Sequence, residues 1–281
     1  MRTAIVRGMI TIGIGCALAA PALAAPFGFS TGDPDGKIAT LSRPASMGKI
    51  ETETADDFLT TTATTITDAT FTGLLVGGAT PANVSNVDVE LYRIFPADST
   101  TPPSGHVLTR VNSPSDNAFV GRDGSLGELS FTTKLLSTSF TALNSVVNGI
   151  NAFPNQFTGG EGPVTGEEVQ FDVHFTTPLL LAAGHFFFRP EVDLGSAGDF
   201  LWLSAPKPIV APGTPFLPDL QTWIRNETLA PDWSRIGTDI THQGPFNAAF
   251  SLTGTVPEPA SLALLAAGLL GLGLIRRRRL A

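Results

Sequence analysis

From Glu168 to Thr176 the chain alternates without interruption. Val169, Phe171, Val173 and Phe175 fall on one side, and Glu168, Gln170, Asp172 and His174 on the other. A period of two is the pattern of a strand with one face on a core and one in water. The same period recurs over 86–95, where Val87, Val89 and Leu91 oppose Asp88, Glu90 and Tyr92, and over 246–255, with Ala248, Phe250 and Leu252. Thr52 to Thr70 is dense in threonine, whose branched Cβ favours strand over helix, and predicts a strand, a turn near Asp68 and a second strand. Further short strands are expected over 106–111, 129–136 and 200–204. Only 140–150 breaks the pattern: Ala142, Leu143, Val146, Val147 and Ile150 recur at helical spacing, which suits a short helix or a loop crossing between sheets. Many short strands with almost no helix predict an all-β fold, an antiparallel β-sandwich with a jelly-roll-like path. A division into two smaller domains at the glycine-rich joint 159–162 is the alternative.

No covalent staple supports this fold. Cys16 is the only cysteine, and it lies in a segment with the marks of a secretory signal peptide. Arg2 and Arg7 give a positive start, Gly8 to Leu18 is largely apolar, and Ala22-Leu23-Ala24 predicts cleavage between Ala24 and Ala25. A lipid anchor on Cys16 is disfavoured, because Gly13 stands where a lipobox carries Leu or a similar residue. At the other end Val256-Pro257-Glu258-Pro259 precedes an uncharged apolar run, Ala260 to Ile275, and then Arg276, Arg277, Arg278 and Arg279. As a helix the run reaches about 24 Å at ~1.5 Å per residue, against a hydrocarbon core of ~30 Å. It predicts a short transmembrane helix, with the arginines as a cytoplasmic stop and the body across the membrane. The chain thus divides into a signal peptide (1–24), a β-sandwich ectodomain (25–255) and a C-terminal segment (256–281).

The three parts of that C-terminal segment, in that order, resemble the PEP-CTERM sorting signal of bacteria. Pro257, Glu258 and Pro259 match its motif residue by residue, and Arg276 to Arg279 match its cytoplasmic stop. The resemblance implies recognition and cleavage near the motif by an exosortase, an integral-membrane cysteine transpeptidase, after delivery by the secretion translocon. It implies an inner-membrane intermediate, then an outer-surface or exopolysaccharide-matrix location. Ile50-Glu51-Thr52-Glu53-Thr54, Arg110 to Asp116 and Phe200 to Pro206 look similar to the ectodomain of an uncharacterised PEP-CTERM group, which implies export and no established activity.

Charge narrows the partners of the body. The chain has 17 basic and 25 acidic residues. Six of the arginines and Glu258 lie in the terminal segments, which leaves 11 against 24 in the body, a net of −13. That balance disfavours nucleic acid and anionic polysaccharide as direct electrostatic partners and suits divalent cations or neutral glycans. Asp33 and Asp35, at i and i+2 in the turn Gly32-Asp33-Pro34-Asp35-Gly36, can present oxygens to Ca²⁺. An EF-hand fitted there would place Thr31 first and Ser42 twelfth, so both the first Asp and the bidentate Glu are missing and a solvated turn is the favoured reading. His174 and His185 meet only if their strands form a hairpin, and no HxH or HExxH pattern accompanies them.

Zinc-protease and phosphate-loop motifs are missing from the sequence: it contains no HExxH, no GxGxxG and no GxxxxGK[ST]. A secreted hydrolase with carboxylates in 161–168 is a competing reading, but 24 acidic residues would supply some suitably spaced pair by chance. The leading expectation is a structural protein of the surface or matrix, and not an enzyme. Trp223 and Trp233 stand among polar neighbours, so they can be glycan-stacking platforms or core, whereas Trp202, in an apolar run, is expected in the core.

Overall fold

The computed structural model describes residues 24–100, 104–150, 158–206 and 220–257. Two sheets carry the fold. The larger holds β1 (Ala25–Ser30), β2 (Ile38–Leu41), β4 (Thr64–Val76), β7 (Leu129–Ala142), β8 (Asn144–Val146), β9 (Val164–Leu181), β11 (Asp199–Ala205), β14 (Asn247–Ala248) and β15 (Phe250–Val256). The smaller holds β3 (Thr52–Thr60), β5 (Asn86–Arg93), β6 (Val120–Asp123), β10 (Gly184–Asp193), β12 (Trp223–Asn226) and β13 (Ser234–Arg235), in the order β13-β12-β3-β10-β5-β6. Strand β4 is the axis of the larger sheet. β9 runs along one side of it and carries β7, while the other side is divided between β15 (Thr65–Phe71) and β11 (Gly73–Val76).

The alternating residues meet between the sheets. Phe171, Val169, Val173 and Phe175 of β9 are buried there with Phe71 of β4, facing Phe188 of β10 and Val87, Val89 and Leu91 of β5. Phe71 stacks on Phe171 at 4.9 Å and Phe188 on Phe250 at 5.1 Å. Trp202 is fully buried and donates its indole N–H to the Ala249 carbonyl at 2.9 Å, as the apolar run around it predicts. A Cβ on Gly73 would collide with the Phe200 ring and one on Gly254 with the Thr65 carbonyl, so the approach of β11 and β15 to β4 requires glycine at both places.

Several local expectations are corrected. The turn after the first threonine-rich strand lies at 61–63, and Asp68 sits inside β4, where Thr67 is bulged out of register with both neighbouring strands. Residues 140–146 are two strands either side of a bend at Leu143: β7 runs to Ala142 and β8 pairs in parallel with β2, so the helical spacing there reflects two strands burying Ala142 and Val146. That parallel pair also departs from the all-antiparallel expectation. Residues 106–111 form a loop, not a strand, because Arg110 is drawn inward onto Asp116 and Asp232. Ala25–Pro257 forms one compact unit rather than two domains joined at 159–162. Within that joint the Glu161 carboxylate accepts the backbone N–H groups of Val147, Asn148 and Gly149 at 2.7–2.9 Å.

Candidate functional site

The two ends of the body lie side by side. β1 and β15 pair antiparallel, with Ala25 opposite Val256 and Ser30 opposite Ser251. Phe29 and Leu252, also partners, are both buried in the core. That burial fixes the register, because a one-residue slip would turn Phe29 out to solvent. Ala24 and Pro257, the residues just beyond the pairing, are both exposed. Pro257 has no N–H to extend the ladder, so the strand ends where the sorting tripeptide begins. Glu258, Pro259, the apolar run, Arg276 to Arg279 and the predicted signal peptide up to residue 23 lie outside the described residues.

The tryptophans are not surface platforms. Trp223 and Trp233 are 1% and 0% exposed, which removes them as glycan-stacking rings. The physical reason is a third layer over the outer face of the smaller sheet. Ala55, Tyr92, Phe187 and Trp223 point outward from four of its strands and are covered by Trp233, Leu220, Ile94 and Ala118. The indole N–H of Trp233 donates to the Ser115 carbonyl at 3.2 Å, and the Arg225 guanidinium lies 4.3 Å from its ring centre. Two of their polar neighbours in sequence, Arg225 and Asp232, are buried and paired, with Glu53 and Arg110 respectively.

Beside that layer the same face carries a charged cluster that the sequence did not reveal. Arg225 of β12 binds the Glu53 carboxylate through Nε and Nη2, and its Nη1 donates to the Asp116 carbonyl at 2.9 Å. Arg189 of β10 reaches Asp88 at 2.8 Å, Glu191 at 2.6 Å and Glu90 at 2.5 Å. Burial pushes the Glu53 carboxyl up, but Arg189 and Arg225 outweigh it and hold the group below its ordinary value. Asp88 goes the other way: burial, with Glu90 and Asp123 nearby, raises it to about 6 against the pull of Arg189. Glu191, more deeply buried, lies well above the carboxylate range. Every second residue of β5 contributes, so the alternation Asp88, Glu90, Tyr92 was the visible signal. The facing Arg189 and Glu191 were hidden behind an aromatic run.

The remaining candidates separate. His174 is on the larger sheet and His185 on the smaller, because β9 and β10 are consecutive but do not pair. Each meets an aspartate instead: Asp68 at 2.8 Å from His174 and Asp57 at 2.6 Å from His185. Asp35 accepts from Ser204 Oγ at 2.5 Å and from the Lys37 N–H at 3.0 Å, while Asp33 lines a shallow groove beside Thr70 and Gln170. Among the described residues no group of three or more His, Cys, Asp or Glu is placed to hold a metal ion.

A family model described as the PEP-CTERM protein-sorting motif matches residues 255–279. Among curated proteins and among solved structures nothing matches significantly. The match begins at the last paired residues of β15 and takes in the tripeptide, the apolar run and the arginines. The chain is therefore an exported protein that carries a PEP-CTERM protein-sorting motif and is sorted by an exosortase.

Proposed function

We propose that the ectodomain is a structural component of the cell surface or the exopolysaccharide matrix, released there as a finished β-sandwich when the sorting segment is removed. The observation that carries this reading is the pairing of Ala25 with Val256. Removal of both terminal segments at those points leaves every described strand intact, so processing is a change of address and not of fold. Burial of Trp223 and Trp233 weakens a glycan-binding reading that depends on their rings. The hydrolase reading also loses a candidate, because Glu161 is committed to three backbone N–H groups.

Cell fractionation tests the reading. The body is expected in the surface or matrix fraction of wild-type cells and in the inner membrane of cells carrying Glu258→Ala. Recovery of wild-type body only in the inner membrane, or unchanged release of the variant, would count against it.

A further inference from the structure

The carboxyl groups on the outer face of the smaller sheet outnumber the guanidiniums that hold them. Arg189 Nη1 contacts both Asp88 and Glu191, its Nη2 contacts Glu90, and its Nε lies 3.4 Å from Glu53. Glu53 also binds Arg225. Four carboxyls thus surround two cations in a layer where Arg189 and Glu191 are nearly inaccessible to water. Further negative charge comes from Glu51, just before β3, and from Asp123 on β6. Arg122 of β6 and Glu128 line the cleft over Asp88 and Glu90. Arg122 is committed to the carbonyls of Thr177 and Pro178.

Tyr92 joins the two glutamates of the layer. Its Oη lies 2.6 Å from Glu53 Oε1, 2.6 Å from Glu90 Oε2 and 3.1 Å from Arg225 Nη2. A phenol has one hydrogen to give. It donates to one of the two carboxylates, while Arg189 Nη2 holds Glu90 and Arg225 Nη2 holds Glu53. The surplus charge falls on Glu191 and Asp88. Glu191 Oε2 is on Arg189, its Oε1 is buried without a hydrogen-bond partner, and its register partner on β5 is Asp88. A second ionised carboxylate beside Asp88, with one oxygen unpaired, is a costly arrangement that a proton relieves.

We propose that this layer holds a proton in the folded protein, shared between Asp88 and Glu191, and that the stability of the ectodomain is thereby tied to external pH. The sign follows from linkage. Burial raises Asp88 from 3.8 to about 6 and Glu191 further above its ordinary 4.5, so the folded chain binds more protons than the unfolded chain over that interval. This contribution to stability is complete below the unfolded values and is lost as pH rises through the folded ones.

The test is a ¹³C NMR titration of the side-chain carboxyls in the full chain, solubilised in detergent micelles. Asp88 and Glu191 are expected to titrate well above the ordinary carboxylate range of about 4. In Glu191→Gln the Asp88 titration is expected to fall toward that range. The melting midpoint of this variant is expected to exceed wild type in alkaline buffer and to equal it in acid, because glutamine reproduces the protonated group. Ordinary titration of both residues in the wild-type chain overturns the proposal. If Glu191→Gln does not fold, Asp88→Asn supplies the second variant, and the wild-type titration still decides.

Discussion

Ala25 and Val256 are antiparallel register partners, so the residue after the predicted signal-cleavage site and the residue before the sorting tripeptide close one edge of one sheet. β15 has a second partner, β4, and β1 has β15. Among the described residues, the last strand before the tail is therefore held on both sides, while the first is held on one.

This arrangement makes Phe29 the anchor of β1. Its ring packs against Phe250 at 5.1 Å and Phe58 at 6.0 Å, which ties β1 to both sheets. Phe29→Ala is expected to cost about 3–5 kcal/mol in urea unfolding of the body. A cost below about 1 kcal/mol, the scale of a surface substitution, would show that β1 is not part of the core.

Burial of the three tryptophans has an optical consequence. Trp202, Trp223 and Trp233 are each no more than 1% exposed. Their emission is expected to be blue-shifted and resistant to acrylamide or iodide, and added neutral glycan is expected to leave it unchanged. Trp233→Ala should destabilise by about 3–5 kcal/mol. Ready quenching in the native protein would contradict the covering layer.

The covering layer hangs on Arg110. Its guanidinium is 3.0 Å from Asp116 and 2.9 Å from Asp232, lies 4.5 Å from the Phe95 ring centre, and is almost fully buried. Arg110→Ala leaves two buried carboxylates without their shared cation, and about 3–5 kcal/mol is the expected loss. Arg110→Met combined with Asp116→Asn and Asp232→Asn is expected to recover part of it, as measured by denaturant midpoint. Equal loss in both variants would indicate that shape, rather than charge, holds the loop.

A second pH effect opposes the proton held around Asp88. Burial pushes Asp199 up, but hydrogen bonds from Lys49 and Arg43 outweigh it and leave the group below 3.8. A depressed carboxyl contributes stability above its unfolded value and loses it as pH falls through the folded one. The melting midpoint is thus expected to decline on the strongly acidic side, and Asp199→Asn should flatten that limb alone. An unchanged acid limb in the variant would place the effect elsewhere.

Where the sequence was legible, period and burial agreed. The alternation over 168–176 and 86–92 named the core faces of β9 and β5 residue by residue. It failed where a strand is buried on both faces. β3 and β10 hide charge behind threonines and phenylalanines, and neither Asp56, Asp57, Arg189 nor Glu191 shows in sequence which partner removes the cost of burying it. Trp233 was illegible for the same reason: its cover comes from 94–118, more than a hundred residues away, and no local pattern reports a third layer. The sorting segment was the most readable part because its meaning lies in linear order, which requires no fold.

Mass measurement of the terminal peptides of protein collected from the cell exterior tests the central claim most directly. The account predicts an N-terminus at Ala25 and a C-terminus within Pro257-Glu258-Pro259, with the β1 and β15 peptides both intact. An exterior protein that retains Arg276 to Arg279, or one that is cut inside 251–256, would contradict it.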